Sequence, residues 1–400
     1  MTPVPPRRAL VFFGILAILP ILALSPLPEI SARVTQISGV VEISGSGVRS
    51  LPVASAWQVV RQGATVRVPA EGFAGLVCSD RRFVRLKGPT VWILTSTGCN
   101  AGRLLSEAQY ALVTPRAGRF SVVAGIMVVD RELRFVRGEN PHAPVAFSPR
   151  YSLIRSFRPA VSWLQAPNAE EYLVEWHRED LHDRSFRVPA AEASCRREAD
   201  GLDLCTFLFP ADAPDLAPGM KFDLTVSARD RTSRVWFADA PVEVTAPTLK
   251  DAAQLEAALA ELKTLGLGGA ALTTAEAGLL ASRGLFSDAA NAYRQVRASD
   301  HSLELGITLA DLYFVTGLDF LAEPIYREAL AAESLTARTA AAFGLGRIAY
   351  ERQRYPEAAG FFEQARKGYA EIGLSEEAEA AKRAAKKAAE RPVRHEGQSP

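Results

Sequence analysis

The chain has 400 residues, of which 48% are hydrophobic and 23% charged. That is room for about two to four domains, and the composition excludes a disordered chain. The 46 basic side chains are matched by 45 acidic ones, which argues against nucleic acid as a main partner because such partners usually leave a basic footprint. In chain order, Arg7 and Arg8 come first, ahead of an apolar run over residues 9–24 that is interrupted by Gly14 and Pro20. A basic start followed by such a run is the pattern of an export signal or signal anchor, so residues 1–30 are expected to be a signal peptide or signal-anchor helix. The run is shorter than the roughly 20 residues that cross a bilayer comfortably. Cleavage near Ala23-Leu24-Ser25 or Ile30-Ser31-Ala32 competes with retention in the inner membrane. Either way, everything beyond about residue 30 is expected outside the cytosol. The localisation expected is therefore periplasmic and membrane-anchored, or secreted if the leader is cut.

Four cysteines suit that compartment. Cys78 with Cys99, and Cys195 with Cys205, are the preferred pairs, because each falls inside one expected domain. Two other pairings and free thiols are the alternatives. The spacings match no zinc signature.

Residues 31–144 read as an all-β domain. Short alternating stretches such as "VTQISGVVEISGSG", "GATVRVPA", "GFAGLVCS", "RFVRLKGP" and "TVWILTS" are punctuated by Gly or Pro, the rhythm of a closed or stacked sheet. The order of "VTQISGVVEISG", "LPVASAWQVVRQGATVRV" and "EGFAGLVCSDRRFVRLKGPT" resembles the FecR-like periplasmic domain, through Gly39, Val41, Gly63, Val66 and Asp80. Arg81 stands where that family usually has a hairpin glycine. Signalling members of the family carry a cytosolic domain that contacts a sigma factor. About eight residues precede the apolar run here, so a direct anti-sigma role is not expected.

Residues 145–247 read as a second β domain. Trp163 is followed by a turn at Pro167-Asn168-Ala169, then by Tyr172, Val174 and Trp176 on alternate positions. Further on, Phe222, Leu224, Val226 and Ala228 share one face. Facing aromatic and aliphatic rows suit two packed sheets, and the pattern resembles an immunoglobulin or fibronectin type III sandwich. The competing reading for Trp163, Trp176 and Trp236 is stacking on sugar rings. Alternation favours core packing.

After a linker over 241–247 the hydrophobic period lengthens from two to 3.6 residues. Thr248 with Asp251 reads as a helix cap, for a helix ending near Gly266. Residues 248–374 then carry a repeat: "GLFSDAANAYRQV", "GLDFLAEPIYREA" and "QRYPEAAGFFEQA". Their alignment superimposes Ala289, Ala322 and Ala358, and four residues later Tyr293, Tyr326 and Phe362. These positions resemble those of tetratricopeptide (TPR) repeats, with Gln353 in place of a turn glycine. The resemblance implies a helical solenoid that binds a protein or peptide, with Asp311, Phe314, Arg347 and Tyr350 lining the concave face. Residues 375–400 are expected to be a capping helix, acidic early and lysine-rich late, followed by a disordered tail.

Recognised catalytic patterns do not emerge. "GLGGAA" at 266–271 follows a helix rather than the strand that a dinucleotide fingerprint needs. His177 and His182, among Glu175, Glu179, Asp180 and Asp183, fit a solvated hairpin better than a metal loop. The fold class expected is a multidomain β-then-α protein. The function expected is a non-enzymatic scaffold or adaptor in the bacterial envelope, with no cofactor or metal and with no nucleic acid partner. A peptidoglycan- or polysaccharide-binding protein using its β domains is the alternative.

Overall fold

The computed structural model describes residues 31–38, 41–45, 48–51, 59–70, 72–99, 102–105, 120–123, 126–129, 142–178, 181–267, 269–299 and 301–391. The leader expected at 1–30, Gly39 of the FecR-like pattern and the tail beyond 391 lie outside the described residues. Among the described residues, strands run up to Thr245 and helices follow from Leu249, so their order is β, then α. No helix among the described residues is long and apolar enough to cross a membrane.

The first strands form two antiparallel sheets. One has the order β4 (Val59–Arg61), β1 (Ser31–Ser38), β6 (Phe73–Cys78), β7 (Arg82–Lys87), β9 (Arg103–Leu104); the other runs β3 (Val48–Leu51), β2 (Glu42–Gly45), β5 (Thr65–Val68), β8 (Thr90–Ile93). Strand alternation puts Val66 and Val68 inward, where they meet Ile43, Leu76, Val84, Leu86 and Leu94. β6 is the exception: it is buried along almost its whole length. Its outward residue Val77 joins a second core, shared with the helices, so both faces of the strand are covered. At the β6–β7 connection Arg81 takes the left-handed conformation (φ 65°) that the usual glycine would adopt freely. The Asp80 carboxylate accepts hydrogen bonds from the Arg82 and Cys99 amides at 3.1 and 3.0 Å, holding that turn against the Cys78–Cys99 disulfide.

A separate hairpin follows, β10 (Phe120–Val123) with β11 (Ile126–Val129), and it forms a two-stranded sheet of its own. Beyond it two more sheets face one another. The smaller has the order β12 (Val145–Ser148), β14 (Val161–Leu164), β18 (Asp203–Phe207), β17 (Ser194–Arg197). The larger runs β13 (Ser152–Leu153), β21 (Val242–Thr245), β19 (Lys221–Asp230), β15 (Ala169–Arg178), β16 (Leu181–Pro189), with β20 (Trp236–Ala238) also paired to β19; the stretch 241–247 expected as a linker is thus mostly strand, because Val242 and Val244 alternate into the core. Trp163, Tyr172, Val174, Trp176, Leu224 and Val226 fill the space between them. Trp163 lies 4.9 Å from Tyr172 and Trp176 stands edge-on to Phe222 at 6.2 Å. Cys195 and Cys205 sit directly opposite one another on β17 and β18 and are bonded.

Eight helices lie among the described residues: α1 (Leu249–Thr264), α2 (Gly269–Ser282), α3 (Phe286–Arg297), α4 (Leu303–Val315), α5 (Asp319–Leu330), α6 (Leu335–Glu351), α7 (Tyr355–Ile372) and α8 (Ser375–Ala389). Thr248 caps α1 by accepting from the Asp251 amide at 3.1 Å, as the sequence suggests. From α1 to α8 each helix packs against the next. The same turn closes α2, α4, α6 and α7. In each, a residue at positive φ (Gly284, Gly317, Gln353, Gly373) is followed by an amide that donates to the carbonyl five residues back. That is the Schellman arrangement, which satisfies carbonyls a helix end would leave bare. Ala289, Ala322 and Ala358 are fully buried, and Tyr293, Tyr326 and Phe362 nearly so. α6 admits the rings of both its neighbours because it has no side chain at the contacts. A Cβ on Gly344 would lie 2.4 Å from the Tyr326 ring, and one on Gly346 2.7 Å from the Phe362 ring.

The helices also bind the β part. One continuous core includes Val77, Leu105, Phe147 and Leu204 along with the inner faces of α1 to α6.

Candidate functional site

The residues expected to line a binding face divide into two environments. Asp311 and Phe314 lie on α4, one turn apart, and Arg347 lies on α6. Asp311 and Phe314 are both buried. The Arg347 side chain, 13% exposed, donates from Nη2 to Asp311 Oδ1 at 2.5 Å and to the Tyr326 hydroxyl at 3.1 Å. Tyr326, on α5, donates in turn to Asp311 Oδ1 at 2.6 Å. The guanidinium stands 4.4 Å above the Phe314 ring and 5.8 Å from Phe343. Three successive helices are therefore joined by one charged knot between aromatic plates. Burial raises the Asp311 carboxyl above the ordinary value, with Arg347 and the Tyr326 hydroxyl opposing. Burial, reinforced by the neighbouring Asp311, pushes the Tyr326 hydroxyl well up, so it stays a neutral donor. Burial works against the Arg347 cation, but Tyr326 and Asp311 more than offset this and hold it above its usual range.

Tyr350 is half-buried, one turn beyond Arg347 near the C-terminal end of α6. Its ring meets Tyr355 edge-on at 5.3 Å, Lys387 of α8 lies 5.5 Å from its centroid, and Arg391 donates to its hydroxyl at 3.3 Å. All four expected groove residues thus have partners within the chain. Tyr326, read from sequence as a packing residue, also belongs to the polar knot. Its hydroxyl and Asp311 are linked through tertiary contact alone, so the repeat alignment carried no signal for that role.

A second cluster was not anticipated at all. Arg150 is 1% exposed, between the two-sheet unit and the helices. Its Nε donates to the Thr316 carbonyl at 2.7 Å and its Nη1 to the Ala146 carbonyl at 3.2 Å, with Asp239 Oδ2 3.4 Å from Nη1. Its own amide donates to Ser287 Oγ at 2.9 Å. The partner carbonyl caps the C-terminal end of α4, where a cation is favoured by the helix dipole. Nearby, Arg294 of α3 grips Asp200 through two hydrogen bonds of 2.6 and 2.9 Å and lies 5.0 Å from the Phe147 ring. Arg85 donates to the Leu265 and Gly266 carbonyls at the end of α1, at 3.3 and 3.1 Å.

Potential ligands for metal or sugar are already engaged. Among the described residues, Cys78, Asp80 and Cys99 bring three possible metal-ligand atoms together, but both sulfurs are spent in a disulfide and offer no thiolate. Trp163 and Trp176 are 0% and 1% exposed, which leaves neither face to a sugar. Trp236 is half-buried beside Arg187.

No protein-family model matches this chain, and no curated protein is significantly similar to it.

Proposed function

We propose that the protein is an exported, non-enzymatic adaptor of the bacterial envelope, held at the inner membrane by its leader or released after cleavage, that binds a protein partner through its helical part. In this reading residues 31–144 form a FecR-like domain, 145–247 an immunoglobulin or fibronectin III-like sandwich, and 248–374 a TPR-like solenoid capped by the last helix. The observation that carries it is the recurrence of one helix–turn–helix unit. A left-handed residue closes the first helix of each pair at 284, 317 and 353, and a buried alanine and aromatic ring follow at the same offsets. A repeating unit of this kind builds an extended surface from nearest-neighbour contacts, and such surfaces are suited to recognising peptides. The polar clusters at Asp311 and Arg150 are each satisfied within the chain and join elements together, so they brace the fold and leave partner recognition to other side chains of the helical part. The two disulfides agree with an oxidising compartment. The glycan-binding alternative is not favoured, since Trp163 and Trp176 are core residues.

The test is cross-linking of the full chain in intact cells, followed by identification of what is captured. One or a few envelope proteins recovered reproducibly is the expected result. Retention on purified peptidoglycan, with no protein captured, would replace the adaptor reading with the glycan-binding one.

A further inference from the structure

The two disulfides stand in opposite settings. Cys78 and Cys99 are both fully buried, and Cys78 ends a strand covered on both faces. Cys195 is half-buried on β17, an edge strand that pairs, among the described residues, with β18 alone. Its neighbours Ser194, Arg196 and Arg197 are exposed, while Cys205 behind it is buried. The two cysteines are 10 residues apart, against 21 for the other pair, so this bond restrains the unfolded chain less. The strands it joins already meet in a ladder from Ser194 opposite Thr206 to Arg197 opposite Asp203. Its effect is therefore local, on the β17–β18 hairpin. That hairpin turns at 198–202, where the Glu198 amide donates to the Leu202 carbonyl at 2.8 Å. Asp200 at the tip, midway between the cysteines, accepts both hydrogen bonds from Arg294 of α3. Leu202 and Leu204 lie against the core shared with the helices. The hairpin is thus an arm from the smaller sheet to α3, and the disulfide crosses its base.

We propose that Cys195–Cys205 is a site of reversible reduction by a dithiol, and that the bond is a clasp: closed, it holds the arm on α3, and opened, it loosens the grip between Asp200 and Arg294. This goes beyond the adaptor reading and does not depend on it. Exposed disulfides are the labile ones, and exchange begins at the sulfur a thiolate can reach. Here that is Cys195 Sγ. A thiolate of the dithiol attacks it and forms a mixed disulfide; the old bond breaks, and its electron pair leaves on Cys205, which takes a proton. The Tyr172 hydroxyl, 3.8 Å from Cys205 Sγ, is placed to donate to that leaving sulfur. The second thiol of the reductant then attacks the reductant's own sulfur in the mixed disulfide and releases Cys195, which is protonated in turn. The protein bond gains two electrons and two protons, and the dithiol is oxidised to its disulfide.

The experiment exposes the full-length oxidised protein to dithiothreitol without denaturant. Thiols that appear are trapped with iodoacetamide at successive times and located by peptide mass spectrometry. Cys195 and Cys205 are expected to open at least about tenfold faster than Cys78 and Cys99. With that pair open and the other closed, hydrogen exchange is expected to rise at 194–207 and in α3 around Arg294, while α6 and α7 stay protected. Cys195→Ser with Cys205→Ser removes the bond without any reductant and is expected to give the same pattern. Equal opening rates, or Cys78–Cys99 opening first, overturn the site. Selective opening with unchanged exchange in α3 overturns the clasp. Exchange that rises over the whole chain marks a purely structural bond and overturns it as well. If the double variant does not fold, the selectively reduced parent decides.

Discussion

Asp288 shows how a single side chain can set the response of the fold to pH. It sits in the first turn of α3, and burial raises its carboxyl from 3.8 to about 6, with Arg155 opposing. The folded state therefore prefers the protonated form. Its contribution is intact below pH 3.8 and falls away as pH rises from there through about 6. Asp288→Asn removes that loss. The variant is expected to be more stable than the parent by about 1–2 kcal/mol at pH 7, after discounting for water access and for the helix dipole, and no more stable at pH 3. Denaturant midpoints for both proteins at the two pH values check this; two parallel pH profiles would refute it. Arg347 and Tyr326 are the contrasting case. Their partners are all within the chain, so their charge state locks helices together.

At the scale of elements, the turns repeat more faithfully than the sequences that make them. Gly284 and Gly317 close α2 and α4 at φ 81° and 73°, and Gln353 closes α6 at φ 60°. A residue with a Cβ is strained by about 1–2 kcal/mol there, so tertiary packing imposes the turn on a residue that resists it. Gln353→Gly is expected to gain about 0.5–1 kcal/mol, part of the relieved strain being offset by the freedom glycine adds to the unfolded chain. Gly317→Gln, the converse substitution, is expected to lose about 1–2 kcal/mol. Equilibrium unfolding of the two variants reads both signs. The repeat positions themselves were legible from sequence because a small residue and a ring at a four-residue spacing meet on one helix face. The Gly344 and Gly346 contacts were not, because the rings they admit come from different helices.

At the scale of the molecule, the three regions are joined by more than linkers. The core that runs from Val77 of β6 through Phe147 and Leu204 into the helices, with Arg150 at its polar seam, ties their unfolding together. Removing one partner of a buried pair leaves the other charge uncompensated. Arg150→Met strands Asp239 and bares the Thr316 carbonyl, and is expected to cost about 3–5 kcal/mol. The parent chain is expected to unfold in one calorimetric transition and the variant in two, the helices separating from the sheets. A single transition at an unchanged midpoint in the variant would show that the seam contributes no coupling.

The sequence by itself determined the local order of this protein: strands before helices, the cap at Thr248, the inward rows at Tyr172–Trp176 and Phe222–Ala228, and the buried alanine and aromatic positions of the repeat. Each follows from a short-range rule, either a period of two or 3.6 residues or a capping side chain, and such rules act within a few neighbours. Only the tertiary structure decided that Asp311 and Arg347 meet inside the helices, that Arg150 joins sheet to helix across 166 residues to Thr316, and that a hairpin tip at Asp200 reaches Arg294 of α3. Those contacts depend on burial and charge shared between distant segments. No local pattern encodes them, because the energy of each group depends on which partner arrives.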